Sequence, residues 1–189
     1  MNTSDCLELL HSRQSHNKLV APAPTKEQLS NMFKAALRAP DHALLKPWRF
    51  RVFEGKSLDR LGELFVKASL EENSELSEAK LEKIKNKPHR APMVIIASAV
   101  LKEHPKVPHV EQILSTGASV QNLLMAAHFQ GIGAMWRTGG LAFNHCLMDL
   151  LGLDQDEVIV GFVYLGKEEG DKRKLKPTPH EEHIFYITE

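Results

Sequence analysis

The sequence predicts an α+β layered domain, and three observations carry that prediction. Helix-like and strand-like segments interleave irregularly, without the strict strand–helix alternation of a doubly wound parallel sheet. Two apolar runs, 92–100 and 158–166, are continuous enough to be central strands buried on both faces. The segment Trp48-Arg49-Phe50-Arg51-Val52-Phe53 alternates instead with period 2, as a strand with one dry and one wet face does. At 189 residues, one domain spanning 1–189 is the expectation.

The elements follow in order. Residues 4–12 read as a short helix with Leu7, Leu10 and His11 on one side and Asp5 and Glu8 near its N-terminal end. Pro22-Ala23-Pro24 is a linker, after which Thr25 and Gln28 have the spacing of a capping box. The helix they start places Leu29, Met32, Phe33, Ala36 and Leu37 on one buried stripe and ends at Arg38, before Pro40. Residues 57–87 are charged and poor in large apolar groups. They are expected as one or two solvated surface helices broken near Asn73-Ser74, with no chemistry assigned. A long helix over 109–130 is rich in small residues, Ser115 to Ser119 above all, which suits close approach to a core neighbour or to another subunit. Residues 134–138 form a short strand and 144–151 a short helix. The polar tail from Lys167 ends in Ile184-Phe185-Tyr186-Ile187, a strand-like run with no local partner, expected at a sheet edge or on another subunit.

Composition narrows the function classes. Lys+Arg and Asp+Glu are both 24, so no net field draws the chain to nucleic acid or to an anionic membrane. No apolar run approaches the roughly 20 residues that span a bilayer. The N-terminus lacks the cationic and apolar regions of a secretory signal, and Cys6 and Cys146 suggest no disulfide framework. A cytoplasmic protein is the expectation.

Among the polar clusters, the connection Arg38-Ala39-Pro40-Asp41-His42-Ala43-Leu44-Leu45-Lys46-Pro47-Trp48 is the densest. Its two prolines fix φ and restrict the preceding residues, so Arg38 and His42 are presented on a stiff loop suited to a ligand or to a rigid turn. Arg13-Gln14-Ser15 offers a planar fork of donors and a hydroxyl. Gly131-Ile132-Gly133 contains two glycines of a dinucleotide fingerprint but follows a helix and precedes a strand, the reverse of the Rossmann order. These glycines are better read as a helix stop, ahead of the aromatic, cation and hydroxyl of Trp136-Arg137-Thr138. His180-Glu181-Glu182-His183 lacks the His-Glu-x-x-His spacing, and no metal site is assigned. Neither a catalytic nucleophile nor an acid–base pair stands out, so an enzyme of this sequence would take its reactivity from a cofactor.

Taken in order, Arg13-Gln14-Ser15, the loop from Arg38 to Trp48, Gly131 to Gly139 and Val160-Gly161-Phe162-Val163-Tyr164-Leu165-Gly166 resemble the FMN-dependent nitroreductase family, in particular its small bacterial NAD(P)H nitroreductases. That resemblance implies a central, mainly antiparallel sheet wrapped by helices, in a homodimer with FMN at the subunit interface. It implies FMN contacts from Arg13, Gln14, Ser15, Trp136, Arg137 and Thr138, with Arg38 and His42 reaching the flavin of the other subunit. It also associates Ala126, Ala127, His128, Phe129, Gln130 and Gly131 with NAD(P), although a helix C-terminus repels phosphate. The implied reaction carries hydride from NAD(P)H through flavin N5 to a small nitroaromatic or quinone acceptor by a ping-pong route, with no protein residue as nucleophile. A reductase of one particular metabolite and a non-catalytic flavin-binding dimer are the other readings. The chain departs from the family pattern at Gln14, Leu44 and Lys46.

Overall fold

The computed structural model describes residues 3–170, 174–175 and 178–188; parts of the predicted polar tail, 171–173 and 176–177, lie outside them. Five strands pair antiparallel throughout: β1 (Leu19–Val20), β2 (Trp48–Glu54), β3 (Met93–Val100), β4 (Gly133–Arg137) and β5 (Glu157–Glu168). The order is β1-β5-β3-β2, and β4 also pairs with β5. The predicted α+β class with a mainly antiparallel sheet is therefore what the chain adopts.

Six helices flank the sheet: α1 (Thr3–Ser12), α2 (Lys26–Ala36), α3 (Ser57–Glu72), α4 (Glu78–Lys85), α5 (His109–Phe129) and α6 (His145–Leu150). One core holds Leu58, Leu61 and Phe65 of α3 and Leu147 of α6 against Val94, Ile96 and Phe162. The other packs Met32 and Ala36 of α2 and Val120, Leu123 and Ala127 of α5 against Ile95, Val163 and Leu165. β3 and β5 lie between the two, which is why both read as unbroken apolar runs.

The capping box forms as predicted, with Thr25 Oγ1 accepting from Gln28 N and Gln28 Oε1 from Thr25 N. At the other end of α2 the last carbonyls need partners. α5 supplies them: Ser119 Oγ donates to Ala36 O at 2.9 Å and Asn122 Nδ2 to Ala35 O at 3.2 Å. The small residues of α5 thus bring α2 close and satisfy its end, which sets where the loop to β2 begins. Leu37, expected on the buried stripe, lies exposed, because the helix ends at Ala36 and Leu37 is its C-cap.

Three further expectations are corrected. Residues 57–87 do form two helices, but α3 is a core helix that fully buries Leu61, Phe65 and Ala68. Its buried residues Leu58, Leu61, Phe65 and Ala68 recur at three- and four-residue spacing, so one face stays dry while charged residues occupy the positions between them. No strand forms over 184–187, and Phe185, Tyr186 and Ile187 are largely exposed. The two-residue strand β1 was not foreseen at all, being too short to show a period.

Candidate functional site

Strand β4 directs the best-defined part of the site. Register shifts between β3 and β5 at Ala97/Ser98, where Ala97 opposes Gly161 and Ser98 opposes Ile159, so Val160 is an extra residue in a β-bulge. Trp136 answers this irregularity. Its indole Nε1 donates to Val160 O at 3.3 Å, and the ring lies over Gly161, where an added Cβ would run into the indole. Trp136 faces α5, so the alternation of the strand turns Met135 and Arg137 to the α3 side.

There Arg137 enters a cavity of about 400 Å³, edged also by Trp136, Thr138, Gly139 and Gly140. Its guanidinium carbon is 5.7 Å from the centroid of the Tyr164 ring. Its Nε is buried and has no hydrogen-bond partner among the described residues. Phe65, Phe162 and Leu141 supply apolar walls, and Lys87 and Arg90 supply two more cations. Burial, then the charge of Arg90, pushes the Lys87 ammonium below its ordinary range. Burial pushes the Tyr164 phenol up, against the opposing pull of Arg90 and Arg137. The set is a concave, partly aromatic site with an excess of positive charge and an unsatisfied donor, suited to a planar anionic ligand.

Lys87 and Arg90 escaped the sequence reading because their segment looked like a solvated face. The signal was present in Lys87-Pro88-His89-Arg90-Ala91-Pro92, a basic run fixed by two prolines immediately before a buried strand.

Arg13, Gln14 and Ser15 lie between two fixed points, Ser12 and His16. His16 N donates to Ala134 O at 3.0 Å, and the preceding Ser12 Oγ lies 3.1 Å from His128 Nε2, near the C-terminal end of α5. Arg13 and Gln14 are half-buried and Ser15 is exposed.

Arg38 and His42 sit elsewhere. His42 Nδ1 lies 2.7 Å from Glu111 Oε2, and Ser115 Oγ donates to Pro40 O, so the loop rests on the N-terminal half of α5. Glu111 and His128 are separated by about 25 Å along the helix at 1.5 Å per residue. Trp136, Arg137 and Thr138 thus line one cavity, and Arg13, Gln14, Ser15, Arg38 and His42 are not among its lining residues.

The loop carrying His42 is bent by three left-handed residues that are not glycine: Ala43 at φ 58°, Leu44 at φ 54° and Lys46 at φ 48°. Asp41 Oδ2 accepts from Lys46 N at 2.7 Å, and Lys102 Nζ donates to Leu45 O at 3.0 Å, so the bend is tied at two points.

The segment Ala126 to Gly131 spends most of its polar capacity inside the fold. Ala127 is fully buried, and Gln130 Nε2 donates to Ala126 O and Gln28 O while its Oε1 accepts from Asn31. Gly131, at φ 71°, ends α5 as the sequence predicts. His128 and Gly131 border open space, beside Lys167 and Glu168.

Comparison with known proteins places this arrangement. A model of the nitroreductase family matches residues 10–167. The chain belongs to the nitroreductase family. "Putative NAD(P)H nitroreductase YdjA" of Escherichia coli K12 is 40% identical over 162 residues, 86% of this chain and 87% of that protein. A "Putative NAD(P)H nitroreductase" of Haemophilus influenzae is 42% identical over 187 residues, 97% of this chain and 100% of its own length. Among solved structures, the nitroreductase-like family protein of Bacillus cereus superposes with a TM-score of 0.83 at 22% identity, covering 99% of this chain and 98% of that one. The FMN-dependent nitroreductase NfnB of Mycobacterium smegmatis, solved in complex with NADPH, gives 0.76 at 17% identity, covering 99% and 100%.

Proposed function

We propose that this nitroreductase-family chain is an FMN-dependent oxidoreductase of one domain that works as a homodimer and draws its electrons from NAD(P)H. One observation carries the reading: the buried, unpartnered Nε of Arg137 stands in the cavity edged by Trp136 and Thr138, the segment that the family resemblance gives to flavin. FMN presents a phosphate dianion and a flat ring, and the donor set fits both.

Bound FMN would supply hydride transfer at N5, from NAD(P)H to an acceptor such as a nitroaromatic or quinone in ping-pong order. The chain's residues hold and tune. Trp136, pinned by Val160, gives a fixed edge for a ring, and Thr138 presents an exposed hydroxyl. Arg13 and Ser15 offer charge and a hydroxyl, and Gln14 offers an uncharged donor where many relatives carry a second arginine.

The family resemblance brings Arg38 and His42 to the flavin of a second copy. The exposed apolar side chains Val110 and Leu114, one turn apart on α5 beside His42, give such a copy a surface. For the nicotinamide, His128 and Gly131 border a cavity of about 270 Å³ with Lys167.

A visible spectrum tests the reading directly. Purified protein reconstituted with FMN should show flavin absorbance that bleaches on addition of NADH or NADPH under anaerobic conditions. Protein that stays colourless, or a bound flavin that neither nucleotide reduces, rejects it.

A further inference from the structure

Three cations converge on the β4 cavity, and none of the described residues lining it is a carboxylate. Lys87 and Arg90 come from the turn between α4 and β3, and Arg137 from the strand opposite. The convergence is built by packing. Gly62 of α3 has no room for a side chain because the Lys85 backbone lies against it, so the end of α4 closes on α3 and delivers Lys87 to the cavity mouth. Beside this turn, Asp59 pairs with His89 at 3.1 Å.

In a chain whose charges balance, like charges gathered in a half-buried pocket repel one another and lose hydration. The arrangement becomes favourable when an anion enters, and Arg137 already holds a desolvated donor without a partner. Phe65 and Phe162 lie within the same walls, so the anion arrives attached to an apolar or aromatic body.

We propose that Lys87, Arg90 and Arg137 form an anion subsite that takes the phosphate, sulfonate or carboxylate group of a small aromatic ligand. The proposal rests on the flavin reading of the same cavity in one respect: the anion is either the flavin's own phosphate or the acidic group of the acceptor. It adds Lys87 and Arg90, which no flavin segment named above contains.

The test uses the full chain with Lys87→Met, Arg90→Met and the double variant. Methionine keeps much of the apolar stem and removes the charge. Arg90→Lys serves as the charge-retaining control, and circular dichroism checks the fold of each protein. If the flavin phosphate occupies the subsite, affinity for FMN falls about tenfold for each charge removed while affinity for riboflavin holds. If an acidic acceptor occupies it, FMN binding is unchanged and kcat/KM for 4-nitrobenzoate falls about tenfold per charge, with 4-nitrobenzyl alcohol unaffected.

A third arm needs no flavin and no turnover: sodium pyrophosphate raises the Tm of the unsubstituted chain and not of the double variant. It separates failure of the subsite from failure of the flavin reading. Equal pyrophosphate protection in both proteins, or none in either, together with unchanged ratios in the first two arms, overturns the proposal. Loss of the effects in Arg90→Met with recovery in Arg90→Lys supports it.

Discussion

The indole N–H of Trp136 satisfies the carbonyl of Val160 at 3.3 Å, so a bulge in one strand fixes an aromatic ring in its neighbour. Gly161 completes the arrangement, since a Cβ there would meet the indole and stand 2.9 Å from Arg137 O. Gly161→Ala is expected to lower stability by about 1–3 kcal/mol through overpacking and to displace Trp136. Trp136→Phe leaves the Val160 carbonyl unpaired at a cost of about 1–3 kcal/mol. Urea unfolding reads both losses, and flavin fluorescence titration should show weaker binding in each variant, since Arg137 moves with the strand.

A second network, beside the same bulge, makes its own prediction. Arg51 grips Glu157 with both arms, Nη1 to Oε1 at 2.5 Å and Nη2 to Oε2 at 3.0 Å, and Ser98 Oγ donates to the same carboxylate. Burial pushes the Glu157 carboxyl up, but the hydrogen bonds from Arg51 and Ser98 and the Arg51 charge outweigh it and hold the group below the usual carboxylate range. A carboxyl depressed in the folded state stabilises the fold above its unfolded value, about 4.3. That stability is lost as pH falls through the lower folded value. Glu157→Gln should therefore cost about 3 kcal/mol at neutral pH, at the low end for a broken buried pair because Arg51 keeps some hydration, and should flatten the acid limb of the stability curve. The double replacement Arg51→Met with Glu157→Leu should cost less than Glu157→Gln alone, since no charge is stranded. Urea midpoints measured from pH 3 to pH 7 check both statements.

This network also shows why parts of the molecule were not legible in the sequence. Arg51 reads as the wet face of an alternating strand, and nothing local links it to Glu157, 106 residues away. The double burial of β3 and β5 was legible because an unbroken apolar run has few other solutions, and the capping box because its two residues are three apart. Lys87 and Arg90 were hidden by their surroundings: charged residues interleave with the buried ones through α3 and α4, which masked a core helix and the turn beyond α4. That Arg38 and His42 do not line the cavity of Trp136 to Thr138 depends on how their loop docks on α5, which no local motif encodes.

The strained loop makes a prediction about stability alone. Leu44 is 77% exposed and sits at φ 54°, a conformation that costs a side-chain-bearing residue about 1 kcal/mol. Leu44→Gly gives up little packing, and relief of strain offsets the added freedom of the unfolded chain, so the change should fall between neutral and about 1 kcal/mol stabilising. Leu44→Val, branched at Cβ, should destabilise by about 1 kcal/mol or more. Differential scanning calorimetry distinguishes the pair, and an equal loss in both would show that this backbone is not what limits the loop.

Leu114 is 66% exposed one turn from Val110 on the face of α5 that carries the His42 loop. Burying an aspartate in a subunit interface without a partner is costly. Leu114→Asp should therefore leave helical circular dichroism unchanged while sedimentation shifts from dimer to monomer at micromolar concentration. The same variant should retain little flavin after gel filtration. A Leu114→Asp protein that remains dimeric would place the interface on another face.

The expected sharing of Arg38 and His42 between copies has a direct test. His42 pairs with Glu111 on α5, and neither it nor Arg38 is among the lining residues of the cavity that holds Arg137. In a two-fold dimer the same two patches face each other twice, and each flavin would draw on both copies. Consider one chain carrying Arg38→Ala and His42→Ala, and another carrying Arg13→Ala and Arg137→Ala. Each homodimer should bind flavin poorly, because every site in it lacks one set of contacts. After denaturation, mixing in equal amounts and refolding, half of the dimers are mixed, and each mixed dimer contains one intact site and one doubly defective site. Flavin binding should then recover to about one quarter of the unsubstituted level. If both sets of residues served a flavin within their own chain, no mixed dimer would contain an intact site and mixing would restore nothing. Flavin stoichiometry by absorbance, measured on the gel-filtered dimer, decides between the two.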